Sequence, residues 1–356
     1  MPAATITPSQ LASQHRSDAL HATICQNPAA FRLLSGDRPT GALHVGHYFG
    51  SLQNRVRLQD AGAELLVVIA DYQAITDRTV PPDLPEIVIG LMADYLAVGI
   101  DPDRATIFAH SQVAPLNQLL LPFLSLVSVA EIGRNPTVKE EVAAAGLATV
   151  SGLMFSYPVH QAADILFCRA NLVPVGRDQL PHLEITRTIA KRFNDRYSPG
   201  APYFPEPDGL LSTAPLLLGT DGRKMSKSRD NSIPLRADAD TTARLLAGAK
   251  TDAERFISYE PDRRPEVASL LLLTALCRDL TPEAVAEEIG GAGGVALKAA
   301  AIEAVNQRLA PIRARRAELA ADPGYLRGVL AAGNERASAI ADDTMQAVRR
   351  LMHQRY

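Results

Sequence analysis

Phe31-Arg32-Leu33-Leu34-Ser35-Gly36-Asp37-Arg38-Pro39-Thr40-Gly41-Ala42-Leu43-His44-Val45-Gly46-His47 is the stretch on which the fold turns. It opens as a short apolar run, Phe31 to Leu34, stopped by Ser35-Gly36, which reads as a strand and a turn. A helix-like segment follows from His44 to about Asp60, with Val45, Tyr48, Phe49, Leu52 and Val56 on one side. Strand, glycine-bearing loop and helix start together form the place where α/β sheets bind ligands, and a helix N-terminus favours phosphate.

The rhythm continues outward from there. Glu64 to Ala70 is a β-branched run suited to a strand buried on both faces. Leu84 to Val98 is amphipathic, opened by Pro81-Pro82-Asp83 and closed by Gly99, and Ala105 to Ala109 is the next short strand. Pro158 to Cys168 and Asp178 to Asn194 read as helices, with a strand at Asn171 to Val175 between them. Alternation of this kind predicts a Rossmann-type, doubly wound parallel sheet of the α/β class over residues 31–232. From Ala237 to Tyr356 the chain is rich in Ala, Leu, Glu and Arg at helical spacing, which predicts a separate, mainly helical domain over 233–356. Its inter-helix turns are expected at Gly290 to Gly294 and Asp322 to Gly324. Residues 1–30 read as an extension carrying one short helix around Gln10 to Cys25.

A chain of 356 residues, 47% hydrophobic and 21% charged, has material for more than one core. No run approaches the roughly 18 consecutive apolar residues of a membrane span, and the first residues lack a basic start followed by an apolar run. Cys25, Cys168 and Cys277 are odd in number and far apart, which argues against a disulfide scaffold or a zinc ribbon and for a reducing cytoplasm. A net charge of -3 restricts any nucleic-acid contact to a local patch. Thirty of the 36 basic residues are arginine, so the six lysines are the more informative ones.

Two constellations carry chemistry. In the first, His44 and His47 lie three apart near a helix start, where they can donate hydrogen bonds to phosphate oxygens. A pair of surface histidines or a metal pair is the alternative. Gly36 and Gly41 permit close backbone approach, and Gly46, costly by roughly 1 kcal/mol in a helix, would leave room for a purine. In the second, Lys224-Met225-Ser226-Lys227-Ser228 follows Gly219-Thr220-Asp221-Gly222-Arg223, and two lysines on such a loop can move onto a polyphosphate. A solvated loop is the alternative.

These segments, in this order, resemble the two signatures of class I aminoacyl-tRNA synthetases. The lysine pentapeptide matches without change, and His44-Val45-Gly46-His47 differs by one residue from the family's His-Ile-Gly-His. Asp71-Tyr72-Gln73-Ala74-Ile75-Thr76, Gly99-Ile100-Asp101-Pro102, Tyr157-Pro158 with Gln161-Ala162-Ala163-Asp164-Ile165-Leu166, and Val173-Pro174-Val175-Gly176-Arg177-Asp178-Gln179 further resemble the bacterial tryptophanyl-tRNA synthetases. The resemblance implies a catalytic Rossmann domain, a helical anticodon-reading domain, a homodimer, and the substrates ATP, with Mg2+, L-tryptophan and the tRNA specific for tryptophan. It implies catalytic roles for His44, His47, Lys224 and Lys227. ATP contacts are implied at Arg38, Pro39, Thr40, Gly46, His47, Lys139, Gly176, Arg177, Asp178 and the pentapeptide from Lys224 to Ser228. Tryptophan contacts are implied at Gly36, Gln73, Tyr157, Gln161, Asp164, Val173, Val175 and Gln179, with Asp164 accepting the indole N–H. No protein-held metal is implied.

The role of Asp164 makes sense on its own terms. Ala162, Ala163, Ile165 and Leu166 around it are apolar, so a carboxylate there wants a donor, and an indole N–H is donor only. A helix N-cap or surface position is the alternative. The chain departs from the commoner pattern at Arg38, where many members have Gln, at Gln73 for His, at Arg177 for an acidic residue and at Leu34 for an aromatic. Pro136-Thr137-Val138-Lys139-Glu140-Glu141 resembles the ATP-contacting loop but carries Glu141 where a second lysine is often found. Such departures fit a divergent paralogue with altered inhibitor sensitivity or a second role. A tyrosyl-tRNA synthetase, a nucleotidylyltransferase on the same fold and a non-catalytic binding paralogue are the competing readings. In the helical part, Arg313, Arg315 and Arg316 cluster as candidate phosphate contacts.

Overall fold

The computed structural model describes residues 17, 19–76, 82–139, 150–176, 179–211, 216–226 and 229–356. Five strands, β1 (Arg32–Asp37), β2 (Glu64–Ile69), β3 (Ala105–Ala109), β4 (Leu172–Val175) and β5 (Asp208–Leu211), form one sheet in the order β3-β2-β1-β4-β5. Every pairing is parallel. Alternate residues bury on opposite faces. Leu33, Leu65, Val67 and Ile107 join one apolar cluster, whereas Leu34, Leu66, Val68 and Phe108 join another. The unbroken apolar run of β2 follows from this two-sided burial.

Strand order changes direction between β1 and β4, the switch point at which such sheets open a crevice. The pairing there is thin. β1 meets β2 along six residues, from Arg32↔Glu64 to Asp37↔Ile69, but meets β4 at the one register Leu33↔Leu172. β5 was not anticipated from the sequence, because Asp-Gly-Leu-Leu is short and lacks β-branched residues. Its Gly209 is a packing requirement, since a Cβ there would lie 2.9 Å from Leu183.

Helices cover both faces. One starts at Val45–His47, passes through a π turn at Tyr48–Leu52 and continues as Gln53–Ala61. Leu84–Ala97, Gly152–Leu166 and Leu180–Tyr197 follow. The third begins earlier than its proline implied. Ser151 caps it, accepting from the Met154 N–H at 3.0 Å, and Pro158 sits inside the helix rather than at its start.

The helical part consists of Ala239–Ala247, Pro265–Arg278, Pro282–Ile289, Gly293–Ala320 and Pro323–Leu351. The turns at Gly290 to Gly294 and at Asp322 fall where the sequence places them. These helices share a core with the sheet, as Leu246, Leu271, Leu297, Leu309 and Leu326 lie in the same cluster as Leu33 and Leu65. The last helix returns to the edge strand. A Cβ on Gly333 would sit 1.8 Å from the Ile107 carbonyl oxygen, and Asn334 Oδ1 accepts from the Ala109 N–H at 2.9 Å. Arg336 donates to the carbonyls of Pro102 and Ala105, and Thr344 to that of Phe167. An exposed sheet edge is thereby covered. At the other end of the chain, residues 19–26 are helical, Ile24 is part of the core and Ser17 Oγ accepts from the Leu211 N–H at 3.0 Å.

Candidate active site

A cleft of about 490 Å³ opens where β1 and β4 part, at the C-terminal ends of the strands. Gly36, Gln73, Tyr157 and Gln161 line it, as do Asp164, Val173, Val175 and Gln179. Every residue that the sequence assigned to the amino acid is therefore on one wall or another of a single cavity. Arg38, His47, Gly176 and Leu34 line it as well. The sheet by itself requires glycine at position 36, since a Cβ would lie 2.3 Å from Val68 Cγ1 and from the Val68 carbonyl.

Asp164 is 2% exposed and already has a neighbour that the sequence did not announce. His110 Nε2 stands 2.8 Å from Asp164 Oδ1. The surroundings are thus less apolar than the residues beside Asp164 in sequence imply. Burial by itself would lower the His110 pKa, but the Asp164 charge, aided by Asp71, outweighs it and raises that pKa above its ordinary value.

A second buried pair closes the floor. Arg55 Nη1 donates to Asp37 Oδ2 at 2.7 Å, and the Tyr95 hydroxyl donates to the same oxygen at 2.8 Å. Burial pushes the Asp37 carboxyl up, yet Arg55, with His47 and Tyr95, holds it far below the usual carboxylate range. Arg55 is an interior residue of the Gln53–Ala61 helix, and both its place in the cleft lining and its pairing with Asp37 mark it as part of the site.

Tyr157 leads to a further chain of contacts. Its hydroxyl is 3.0 Å from His182 Nε2, and His182 Nδ1 is 3.2 Å from Asn135 Nδ2. Asn135 Oδ1 in turn accepts from the Thr137 N–H at 3.0 Å, capping the turn at 136–139 that carries the exposed Lys139.

The two signatures are stitched together by backbone. The Val45 N–H donates to the Ile233 carbonyl at 3.0 Å and the Leu235 N–H to the Leu43 carbonyl at 2.9 Å. Gly41 adopts φ +127°, a conformation that demands glycine, in the loop just before. His47 Nδ1 accepts from the His44 N–H at 3.2 Å, so a neutral His47 carries its ring proton on Nε2 and can donate from there. The rings of His44 and His47 are 3.7 Å apart. Gly46 leaves room for the protein itself: a Cβ would meet the His44 ring at 3.0 Å and Met225 Sδ at 3.5 Å. This contact between the signatures is a reason for Gly46 that stands beside the purine rationale.

Asn231 braces the lysine loop, a role that no pattern in the sequence signals. Its Oδ1 accepts from the Ser226 N–H at 2.8 Å, while its Nδ2 donates to Asp221 Oδ1 at 2.7 Å and to the Lys224 carbonyl at 3.2 Å. A Cβ on Gly219 would lie 2.4 Å from the Asn231 amide. Met225 is buried and Lys224 is exposed. Pro39 is buried and Thr40 half-buried in the loop ahead of the helix. Arg177, Asp178, Lys227 and Ser228, with Glu140 and Glu141, lie outside the described residues.

The arginine cluster of the helical part serves the fold. Arg316 Nε pairs with the buried Asp94 at 2.6 Å, and Asp94 Oδ2 accepts from the Leu43 N–H at 3.4 Å. Arg313 donates to Asn306 and Thr242, and Arg315 to Glu318. Arg313 and Arg316 are thus held by partners within the fold, whereas Arg315 and its partner Glu318 are both exposed. Among the described residues, no helix is long and apolar enough to cross a membrane. The group among them whose donor atoms could meet on a metal ion is His110, His160 and Asp164, within 4.8 Å of one another.

A cleft at the switch point that is lined by a buried carboxylate, Asp164, and by His47 of the helix start suits an amino acid and a nucleotide, and backbone bonds tie that helix start to the segment following the lysine loop. Comparison with known proteins agrees. The family profile of class I tRNA synthetases (W and Y) matches residues 26–310. The tryptophan–tRNA ligase of Treponema pallidum is 42% identical over 328 residues, covering 90% of this chain and 96% of that one. That of Streptococcus agalactiae is 40% identical over 336 residues, covering 91% and 98%. The crystal structure of Campylobacter jejuni tryptophanyl-tRNA synthetase complexed with ADP and tryptophan matches with a TM-score of 0.78 at 29% identity, over 90% of this chain and 99% of that one. The chain belongs to the class I tRNA synthetases of the tryptophan and tyrosine group.

Proposed function

We propose that this chain is an ATP-dependent tryptophan–tRNA ligase. The observation that carries the reading is the cleft itself, which gathers the amino-acid residues around a buried carboxylate at the switch point. The names of relatives about 40% identical over nearly their full length agree with it.

In the first step an oxygen of the tryptophan carboxylate attacks the α-phosphorus of ATP. The bond from that phosphorus to the oxygen bridging to the β-phosphate breaks, giving tryptophanyl-adenylate and pyrophosphate. In the second step the hydroxyl of the terminal tRNA adenosine attacks the acyl carbon and AMP leaves. No covalent enzyme intermediate is required, so the chain contributes positioning and charge. Asp164 accepts the indole N–H, and Tyr157 and Gln179 hold the amino-acid end. His44 and His47 serve phosphate and ribose, with Arg38, Pro39, Thr40, Gly46, Gly176, Arg177 and Asp178 around the nucleotide. Lys224 and Lys227 clamp the departing pyrophosphate, aided by Lys139. Mg2+ would arrive on the ATP oxygens, because the described residues offer lysine and histidine rather than a set of carboxylates at that end.

The helical part, 233–356, reads the anticodon in this proposal, and two copies form the working unit. The apolar Leu121 and Val129, 75% and 74% exposed, support burial against a second copy. Three free cysteines support a reducing cytoplasm. Pyrophosphate exchange driven by each of the twenty amino acids tests the activity directly: tryptophan alone should support it at low concentration. Exchange driven by tyrosine, or by none, would overturn the proposal.

A further inference from the structure

Asp164 lines the cleft, but the two histidines beside it do not. Both are buried, at 0% for His110 and 3% for His160. Their roles can be separated by tracing their partners. Asn117 Nδ2 donates to the carbonyls of His110 at 2.8 Å and Val113 at 2.9 Å, which fixes its amide orientation. Asn117 Oδ1 is therefore an acceptor, and His160 Nε2, 2.7 Å away, carries a proton and is committed to it. Burial pushes the His160 pKa down, which favours the neutral ring. His110 has no such amide partner. Its Nε2 faces Asp164 Oδ1 at 2.8 Å, an ion-pair contact too oblique for a hydrogen bond, and neither atom has a hydrogen-bond partner. Around His110 stand Asp164, Asp71, the His160 ring with its centroid at 4.8 Å, and the Tyr72 ring at 6.3 Å.

The three side chains could in principle meet on a cation. The Nε2 of His160 is committed to Asn117 and that of His110 faces the carboxylate, so a cation would have to use the Nδ1 atoms, which are buried without a partner in both rings. A buried carboxylate without a donor is costly, and one whose two oxygens are equally free has no defined direction in which to receive a ligand. We propose that His110 is a positioning residue for the amino-acid substrate: it holds Oδ1 of Asp164, so that the other carboxylate oxygen is presented to the cleft as the acceptor of the substrate's N–H. The proposal rests on the reading of Asp164 as the indole acceptor. It assigns selectivity for an N–H-bearing ring to a pair of residues rather than to Asp164 alone.

The test uses the full chain and pyrophosphate exchange with two substrates, tryptophan and its benzothiophene isostere, which lacks the N–H. His110→Gln places an amide donor near the position of Nε2, whereas His110→Asn stops short of it, and both keep a polar side chain. His110→Asn should raise the tryptophan KM about 10- to 100-fold, the loss expected when a buried acceptor is left unmet. Its kcat should change less than about threefold, and the isostere should be much less affected. His110→Gln should recover most of the affinity. Equal losses in both variants, parallel falls in KM and kcat performance, or equal loss with the isostere would overturn the proposal. Asp164→Asn separates the two layers. If it leaves the preference for tryptophan over the isostere intact, the acceptor reading itself fails. If it abolishes that preference while His110→Asn preserves it, the acceptor reading stands and the role of His110 falls. A stoichiometric metal ion retained by the purified chain and lost in His110→Asn would also overturn the proposal, since these side chains would then be ligands.

Discussion

The regions proposed to hold the amino acid and the phosphates are built differently. On the amino-acid side, Asp164 rides on the Gly152–Leu166 helix and Val173 and Val175 on β4, all buried and all placed by regular structure. On the proposed phosphate side, Lys139 lies in a helical turn and Lys224 on a loop, both exposed, and that loop is held by the amide of Asn231 and by backbone bonds. The difference teaches where each kind of work is done. Telling one ring from another requires a desolvated acceptor fixed in direction, so that a wrong ligand leaves it unpaired. Stabilising a departing polyphosphate requires charge that can follow it, and a braced loop supplies that better than a core helix.

The comparison predicts separable effects. Lys227→Ala should lower the rate of adenylate formation by roughly 30- to 1000-fold, the cost of about 2–4 kcal/mol for a charge contact made in the transition state. Rapid-quench measurement of adenylate checks this. Asp164→Ala should weaken tryptophan activation by roughly 10- to 200-fold, because it also leaves His110 without its carboxylate. Equilibrium binding of tryptophan should show most of that loss. Asn231→Ala, which removes the brace but no charge, should cost about 5- to 30-fold in kcat with tryptophan affinity kept. A loss of tryptophan affinity instead would mean that the two sides are not independent.

The smallest effect is on stability. The His110 pKa is raised in the folded chain above its ordinary value of 6.5. The pair's contribution is therefore fully present below pH 6.5 and is lost as pH rises through the folded value. His160 acts in the opposite sense, as its pKa is lowered and its contribution is lost as pH falls. His110→Gln removes the first contribution and lessens the second, because the His110 charge is among the causes that lower the His160 pKa. The difference in Tm should be largest below pH 6.5 and shrink above it. A difference that grows with pH would show the wrong sign for a His110–Asp164 pair.

The same contrast governs what the sequence revealed. Strands β1 to β4 were legible because burial on both faces forces an apolar run, and the cleft wall because its residues lie in recognisable segments. β5 was not, since four residues with a glycine carry no periodicity. The return of the last helix to β3 depends on Gly333, Ala337 and Ala341, small residues at spacings of four whose meaning is a close approach to another strand. His110, Arg55 and Asn231 escaped notice for a related reason. A buried polar residue is defined by what it meets, and Asp164, Asp37 and Ser226 are distant from them in sequence. Arg313 and Arg316 misled in the other direction, because a cluster of charges on a helix looks solvent-facing until its partners Thr242 and Asp94 are known.

The division of labour between the two sides is tested most directly by measuring tryptophan affinity and the single-turnover rate of adenylate formation side by side in Asp164→Ala and Lys227→Ala. The account predicts that Asp164→Ala loses mainly affinity and Lys227→Ala mainly rate, with the rate of the first recovered in large part at saturating tryptophan. Equal losses of affinity and rate in both variants would contradict it.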